Sequence, residues 1–182
     1  FSGLPFLYYF LPAVLVCYFA APRKLKNAVL FVFSLIFYGW GEPRYIVLMI
    51  VSIVSGFVFA LMIEKKQNKK SGLILMWISV AVSLSFLLIF KYADFLIENV
   101  NQLPGVSLPL SKLSLPIGIS FYTFQIISYT VDVWRGDTKA QRNIISFGTY
   151  VSLFPQLIAG PIVRYTDIER ELQERKHSVT LA

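Results

Sequence analysis

LPIGISFYTFQIISYTVDVWRG, residues 115–136, and IISFGTYVSLFPQLIAGPIVR, residues 144–164, decide the fold of this chain. Both stretches are apolar enough to enter a lipid bilayer, yet both contain polar side chains and helix breakers. Because an uncompensated polar group in hydrocarbon costs several kcal/mol, such groups usually face a bundle interior, a cavity or a reaction path. The groups in question are Gln125, Asp132, Pro155, Gln156, Gly160 and Pro161.

The rest of the chain consists mainly of long uncharged runs. Of the 182 residues 56% are hydrophobic, which is more than a soluble domain of this length normally contains. The uncharged runs cover residues 1–22, 27–41, 45–63, 71–90, 113–131 and 143–163. All but 27–41 have about the ~20 residues that a helix needs to cross a bilayer. We therefore predict an all-α polytopic membrane protein with five to six transmembrane helices.

The two ends of the chain give further expectations. The first run could be a cleaved signal peptide, but it lacks a basic n-region and a clean cleavage site, which favours a retained first span. The chain begins at Phe1 rather than at methionine and stops after an amphipathic tail. We therefore expect residues 1–182 to be the N-terminal part of a single multi-pass domain in a longer protein.

The net charge of +7 is explained by basic residues in the loops, so we expect no nucleic-acid partner. Loops one, three and five contain Arg23, Lys24, Lys26, Lys65, Lys66, Lys69, Lys70, Arg135, Lys139 and Arg142, whereas loops two and four contain Arg44, Lys91 and Lys112. Because basic loops stay in the cytoplasm, this asymmetry predicts an extracytoplasmic N-terminus and a cytoplasmic 65–70 loop.

A polar stripe runs along the helix predicted for the first quoted stretch. Gly118, Tyr122, Gln125, Tyr129 and Asp132 recur at intervals of four and three residues, which puts them on one helical face. The stripe either provides hydrogen bonds between helices or lines a cavity. For Asp132, an interfacial ion pair is at least as plausible as a chemical role.

Further residues predict where the helices end and how they pack. Ser114 and Pro116 fit the N-cap and the first turn of the striped helix. The ion-pair partner of Asp132 would be Arg135 or a residue of a neighbouring helix. Tyr38 and Trp40 suit an aromatic belt at a membrane interface. Small residues at four-residue spacing predict that another helix packs closely against this face: Ser52, Gly56 and Ala60. We expect residues 92–100 to continue from the fourth span as an interfacial helix.

The second quoted stretch is predicted to be broken or re-entrant near residues 144–163. Pro155 removes a backbone donor, and Gly160 with Pro161 should end a helix near Ala159. A segment that turns back at 154–161 keeps the basic residues after it in the cytoplasm. It should lie against the polar stripe, and the tail after it, with Ile168, should form an interfacial helix.

Motifs of soluble enzymes are absent from the sequence. It contains no GxxxxGK[ST], HExxH, CxxC or GxSxG motif. Cys17 is the one cysteine and lies in an apolar run, and His177 is the one histidine and lies in the charged tail. We therefore expect no metal site and no evident general base in these residues.

Four stretches of the sequence resemble a known family. The two quoted stretches, together with FSGLPFLYYFLP near the start and FYGWGEPRY at 37–45, are similar to the membrane-bound O-acyltransferases. The likeness is strongest to bacterial alginate and polysaccharide O-acetyltransferases. It implies a catalytic histidine in a later membrane helix, beyond residue 182, so this segment alone should be inactive.

The resemblance also implies the reaction and its participants. A cytoplasmic acyl thioester, acetyl-CoA or another, would donate an acetyl group, and no cofactor would stay bound. The acceptor would be an extracytoplasmic polysaccharide, reached directly or through an acetyl-accepting partner protein, at the bacterial inner membrane. A membrane transporter or flippase component is the alternative. The candidate residues for a substrate path are Tyr122, Gln125, Tyr129, Asp132, Pro155, Gln156, Gly160 and Pro161.

Overall fold

The computed structural model describes residues 5–22, 25–67, 69–101, 116–159 and 164–168. These residues form an all-helical bundle and contain no β-strand. The helices in chain order are α1 (Leu11–Ala20), which follows a π-helical turn at Phe6–Phe10, α2 (Lys26–Gly41), α3 (Ile46–Lys65), α4 (Lys70–Val100), α5 (Ile119–Arg135), α6 (Ile144–Ser152) and α7 (Phe154–Ala159).

Two of the described helices are long and apolar enough to cross a bilayer. These are the 20 residues of α3 and the first 23 residues of α4. At about 1.5 Å per residue, each spans about 30 Å or more, the thickness of the hydrocarbon core. The shorter helices α1 and α2 are also apolar. The prediction of five to six crossings stays a prediction.

Helix α4 continues past the fourth apolar run. It runs for 31 residues without interruption, so residues 92–100 extend the same helix, as expected. Their interfacial position stays a prediction. At about 1.5 Å per residue α4 is about 46 Å long.

Helix α3 lies at the centre of the bundle and packs against α4, α5 and α6. Its small-residue face is buried, with Ser52 5% and Ala60 0% exposed. A Cβ added at Gly56 would lie 2.6 Å from Cγ2 of Ile126, closer than atoms can approach without displacement. The absence of a side chain at Gly56 therefore allows α5 to lie directly on α3, which confirms the packing role predicted for this face.

Helices α2 and α6 run side by side in the same direction. Near their starts, Asn27 Nδ2 donates to Ser146 Oγ at 2.9 Å, and Thr149 Oγ1 donates to the Asn27 carbonyl at 2.9 Å. Further along, the rings of Phe37 and Phe154 lie 5.7 Å apart between centroids. These contacts fix the depth to which α6 enters the bundle.

The start of α5 differs from the sequence prediction. The helix begins at Ile119, after Gly118 with φ 75°, a left-handed conformation that glycine adopts without steric cost. Pro116 therefore lies before the helix, in a turn closed by the bond from the Ile119 amide to its carbonyl at 3.2 Å. Ser114, the predicted N-cap, lies outside the described residues.

Candidate functional site

The polar stripe of α5 faces the interior of the bundle. Tyr122 and Tyr129 are 0% exposed, Gln125 is 3% and Asp132 is 5% exposed. On the opposite face, Phe124 is 45% exposed. The predicted burial of the stripe is confirmed. Gly118 precedes the helix as its N-cap, so the helical part of the stripe starts at Tyr122.

The second stretch is broken, as predicted. Helix α6 ends at Ser152, Leu153 has the non-helical angles φ −55° and ψ 112°, and α7 begins at Phe154. Pro155 lies in the first turn of α7, where a missing backbone donor costs nothing. The predicted helix end near Ala159 agrees with the bounds of α7, Phe154–Ala159, whereas the additional break at Leu153 was not predicted. Gly160 and Pro161 lie outside the described residues.

Two of the candidate path residues meet at this break. Gln125 Nε2 on α5 donates to Gln156 Oε1 on α7 at 3.5 Å, the long end of the hydrogen-bond range. Segment 154–159 therefore lies against the stripe, as predicted. Pro155, in contrast, is exposed, so it does not belong to the buried cluster.

Residues 164–168 lie at the end of the bundle from which α6 started. Gln141, in the loop before α6, donates from its backbone N to Tyr129 Oη and from Nε2 to Tyr165 Oη, both at 2.7 Å. The Tyr165 ring, 0% exposed, lies 4.9 Å from Tyr129 and 5.2 Å from Tyr150 between centroids. Residues 144 and 165 thus lie at one end, and we call the described residues 144–159 and 164–165 together the 144–165 hairpin. The tail after Ile168 lies outside the described residues.

The break between α6 and α7, which we call the hairpin tip, lies deep in the bundle. Phe154 packs against Phe37 of α2 at 5.7 Å and against Phe10 at 5.6 Å between ring centroids. Asn27, which contacts the start of α6, and Phe37 are separated by about 15 Å along α2 at about 1.5 Å per residue. The tip therefore reaches about half the ~30 Å thickness of a hydrocarbon core.

Long-range contacts hold the end of the bundle where the hairpin enters. Glu64 at the end of α3 accepts from the Ala140 amide at 3.0 Å and forms an ion pair with Arg142. Gln67 Nε2 donates to the Val133 carbonyl at 3.2 Å. The turn after α3 and loop 136–143 therefore form one surface, which we call the basic end. It contains Lys65, Lys66, Lys69, Lys70, Arg135, Lys139 and Arg142.

Asp132 lies just inside the basic end. Its Oδ2 is buried and accepts no hydrogen bond from a described residue, and it forms no ion pair among those residues. The expected pair with Arg135 is therefore not present, because Arg135 is exposed at the last position of α5. The positive charge that acts most strongly on Asp132 is that of Arg164, at the end of the hairpin.

Sequence reasoning missed Tyr38 as a member of the site. It was assigned with Trp40 to an aromatic belt, but Tyr38 is 3% exposed whereas Trp40 is 89% exposed. Tyr38 lies beside Tyr122 of α5. Ser34, one turn earlier, is 0% exposed. Polar residues at positions i and i+4 of an otherwise apolar helix were the signal that could have identified this inward face.

Gln141 provides a test of the hairpin anchor. Gln141→Leu removes the donor to Tyr165 and the Oε1 acceptor of the Arg142 and Asn143 amides. We expect a loss of about 1–3 kcal/mol in stability, because the bond to Tyr165 is partly buried and its loss leaves the hydroxyl of a 0% exposed tyrosine without this donor. Thermal unfolding in detergent, with the exposed loop variant Lys139→Leu as control, measures the effect. Equal melting temperatures for the two variants would show that Gln141 does not anchor the hairpin.

The chain is similar over nearly its whole length to proteins named as O-acetyltransferases, which belong to the membrane-bound O-acyltransferase family. It is 37% identical over 190 residues to "Probable alginate O-acetylase AlgI" of Pseudomonas aeruginosa, covering 98% of this chain and 35% of that protein. It is also 37% identical over 187 residues to the protein of the same name in Azotobacter vinelandii, covering 98% of this chain and 37% of that protein.

A relative with a different acceptor in its name also matches. The chain is 27% identical over 201 residues to "Peptidoglycan O-acetyltransferase" of Helicobacter pylori, covering 94% of this chain and 38% of that protein. The chain thus spans 35–38% of the length of these three relatives. No family model matches the chain, and no solved structure matches it.

Proposed function

We propose that the protein to which this chain belongs is a membrane-bound O-acetyltransferase. It moves an acetyl group from a cytoplasmic thioester, acetyl-CoA or a related donor, to hydroxyl groups of an extracytoplasmic polysaccharide. Delivery is direct or passes through an acetyl-accepting partner protein. The names of the relatives support this proposal, because alginate and peptidoglycan are different polymers that undergo the same O-acetylation.

The observation that carries the proposal is the meeting of the polar stripe and the hairpin tip. Gln125 and Gln156 contact each other about halfway through the bundle, between apolar helices. Non-helical backbone and polar side chains at such a depth in a membrane are tolerated where they are buried in protein or line a water-filled cavity. A path from the basic end along α5 to this point gives the acetyl group a polar route through the bilayer.

The chain would supply the route, and another part of the protein would supply the base. O-acyl transfer needs a group that takes the hydroxyl proton and donors that stabilise the developing oxyanion. Among the described residues, the stripe offers hydroxyl, amide and carboxylate groups. The catalytic histidine that the family resemblance implies would lie in a further membrane helix.

The proposed topology puts the basic end in the cytoplasm. Its lysines and arginines follow the positive-inside trend, and the N-terminus is then extracytoplasmic, with five to six helices crossing the inner membrane. A basic surface at the mouth of the path also attracts a donor that carries phosphate groups, as coenzyme A does. Both considerations favour entry of the donor beside Asp132 and Arg164.

Reconstitution of the full-length protein tests the proposed function. Proteoliposomes receive an acetyl thioester with a radiolabelled acetyl group on the side of the basic end and acetyl-free polysaccharide, with any partner protein, on the other side. Label bound to the polymer as an alkali-labile ester is the expected result. Polymer that stays unlabelled in vesicles with a purified, folded protein, while intact donor crosses the membrane, would support the transporter alternative.

A further inference from the structure

Four lysines surround the turn between α3 and α4, the two longest helices of the described residues. They are Lys65, Lys66, Lys69 and Lys70, and we call the described residues 65–67, 69 and 70 the lysine turn. All four side chains are exposed, and none forms an ion pair with a described residue. Glu64, which precedes them, is paired with Arg142. The lysine turn therefore presents four uncompensated positive charges.

Backbone contacts hold the lysine turn in one compact conformation. The Lys69 amide donates to the Lys66 carbonyl at 3.1 Å, and a Cβ added at Gly72 would overlap the same carbonyl oxygen. Helix α4 therefore starts directly against the turn. Gln67 fixes the turn to α5 by its bond to the Val133 carbonyl at 3.2 Å. Because the backbone cannot spread, the four like charges stay close together and attract an anion.

Exposed apolar faces of α3 and α4 lead away from the lysine turn. Met62, 40% exposed, lies one turn before Lys65 on α3. Ile74 and Trp77, 59% and 62% exposed, lie one and two turns after Lys70 on α4. Since both helices are long enough to cross the hydrocarbon core, the turn at their shared end lies at the level of the lipid headgroups.

We propose that the lysine turn binds an anionic phospholipid with two phosphate groups in its headgroup. Two of the lysines end α3 or follow it, and two precede or begin α4, so each pair can neutralise one phosphate. The exposed apolar faces of the two helices then contact the acyl chains. Once the first phosphate is bound, the second binds at a high effective concentration, an advantage that a lipid with one phosphate lacks.

Lipid titration of the full-length protein in detergent, followed by native mass spectrometry, tests this proposal. The probes are diphosphatidylglycerol with two phosphates, phosphatidylglycerol with one, and zwitterionic phosphatidylethanolamine. We expect diphosphatidylglycerol to bind at least about tenfold more tightly than phosphatidylglycerol. Lys69→Gln/Lys70→Gln should weaken its binding about 30-fold, the effect of removing two lysines from contact with an anionic lipid.

Arg44→Gln/Lys91→Gln is the matched control. It removes two exposed positive charges from the same helix pair at its opposite end, where the rings of Tyr45 and Phe90 lie 5.6 Å apart between centroids. This variant should bind diphosphatidylglycerol as the wild type does. Equal affinities of the two double variants for this lipid, or equal affinities of the wild type for all three lipids, would overturn the proposal.

The wild-type protein allows a second measurement that needs no variant. Diphosphatidylglycerol should raise its melting temperature, because the lipid binds the folded state, and the rise should shrink at high salt. Displacement of the lipid by an equal concentration of coenzyme A would assign the lysine turn to the phosphates of the donor and overturn the proposal. Neither measurement depends on acetyl transfer, so a protein that binds the lipid but transfers no acetyl group would refute the proposed function alone.

Discussion

Gln125→Leu in the full-length protein is expected to reduce polysaccharide O-acetylation about 10- to 100-fold, or by about 1.4–2.8 kcal/mol. Leucine has a similar volume, but it removes the amide that contacts Gln156 and leaves the Gln156 carbonyl oxygen without that donor. The acetyl content of the polymer, divided by the amount of protein in the membrane, measures the effect.

Phe124→Leu is the matched control for this variant. It places the same side chain on the same helix, but at a position that is 45% exposed on the opposite face. We expect near-normal acetylation from it. Equal activities of the Gln125 and Phe124 variants, at equal expression, would show that the polar stripe has a packing role only.

The double variant Gln125→Leu/Gln156→Leu tests whether the two side chains act together or independently. If the two amides act as a unit, the double variant should lose about as much activity as either single variant. Strict additivity of the two losses would show that Gln125 and Gln156 act independently.

Gly56→Val is expected to have the largest effect on stability, a loss of about 1–3 kcal/mol or more. A Cβ at this position would lie 2.6 Å from Ile126 Cγ2 and 3.4 Å from the Phe147 ring. The β-branched side chain of Ile126 has little freedom to rotate within a helix, so α3 and α5 would have to separate. Thermal unfolding in detergent and the yield of folded protein measure the loss.

Gly41→Val provides the matched control for this prediction. Gly41 is the last residue of α2, and a Cβ there meets no atom within 4 Å. Its melting temperature should stay close to that of the wild type. A Gly56 variant that melts no lower than the Gly41 variant would contradict the close α3–α5 contact.

Local periodicity predicted the parts of the site that lie on single helices. The spacing from Tyr122 to Asp132 identified the buried face of α5 because a helical period relates neighbours on one face. The spacing from Ser52 to Ala60 identified the packing face of α3 for the same reason. The breakers in residues 155–161 predicted that the second stretch would not be one straight helix, although not that Leu153 would be the break.

Contacts between distant residues could not be predicted in this way. The pairing of Glu64 with Arg142 and the bridge from Gln141 to Tyr165 depend on how four segments meet in space. Tyr38 was misassigned because an aromatic residue near a helix end fits an interface as well as an interior. Only the packing of α2 against its neighbours distinguishes these two environments.

Labelling of single cysteines from each side of the membrane tests most directly whether the 144–165 hairpin enters and leaves on the cytoplasmic side. Cys17, which is exposed, is first replaced by serine. Cysteines at Lys66, Lys139 and Asp167 should react with an impermeant reagent in inverted vesicles, and a cysteine at Arg44 should react in intact spheroplasts. Labelling of position 167 from the same side as position 44 would instead show a full crossing and contradict the hairpin.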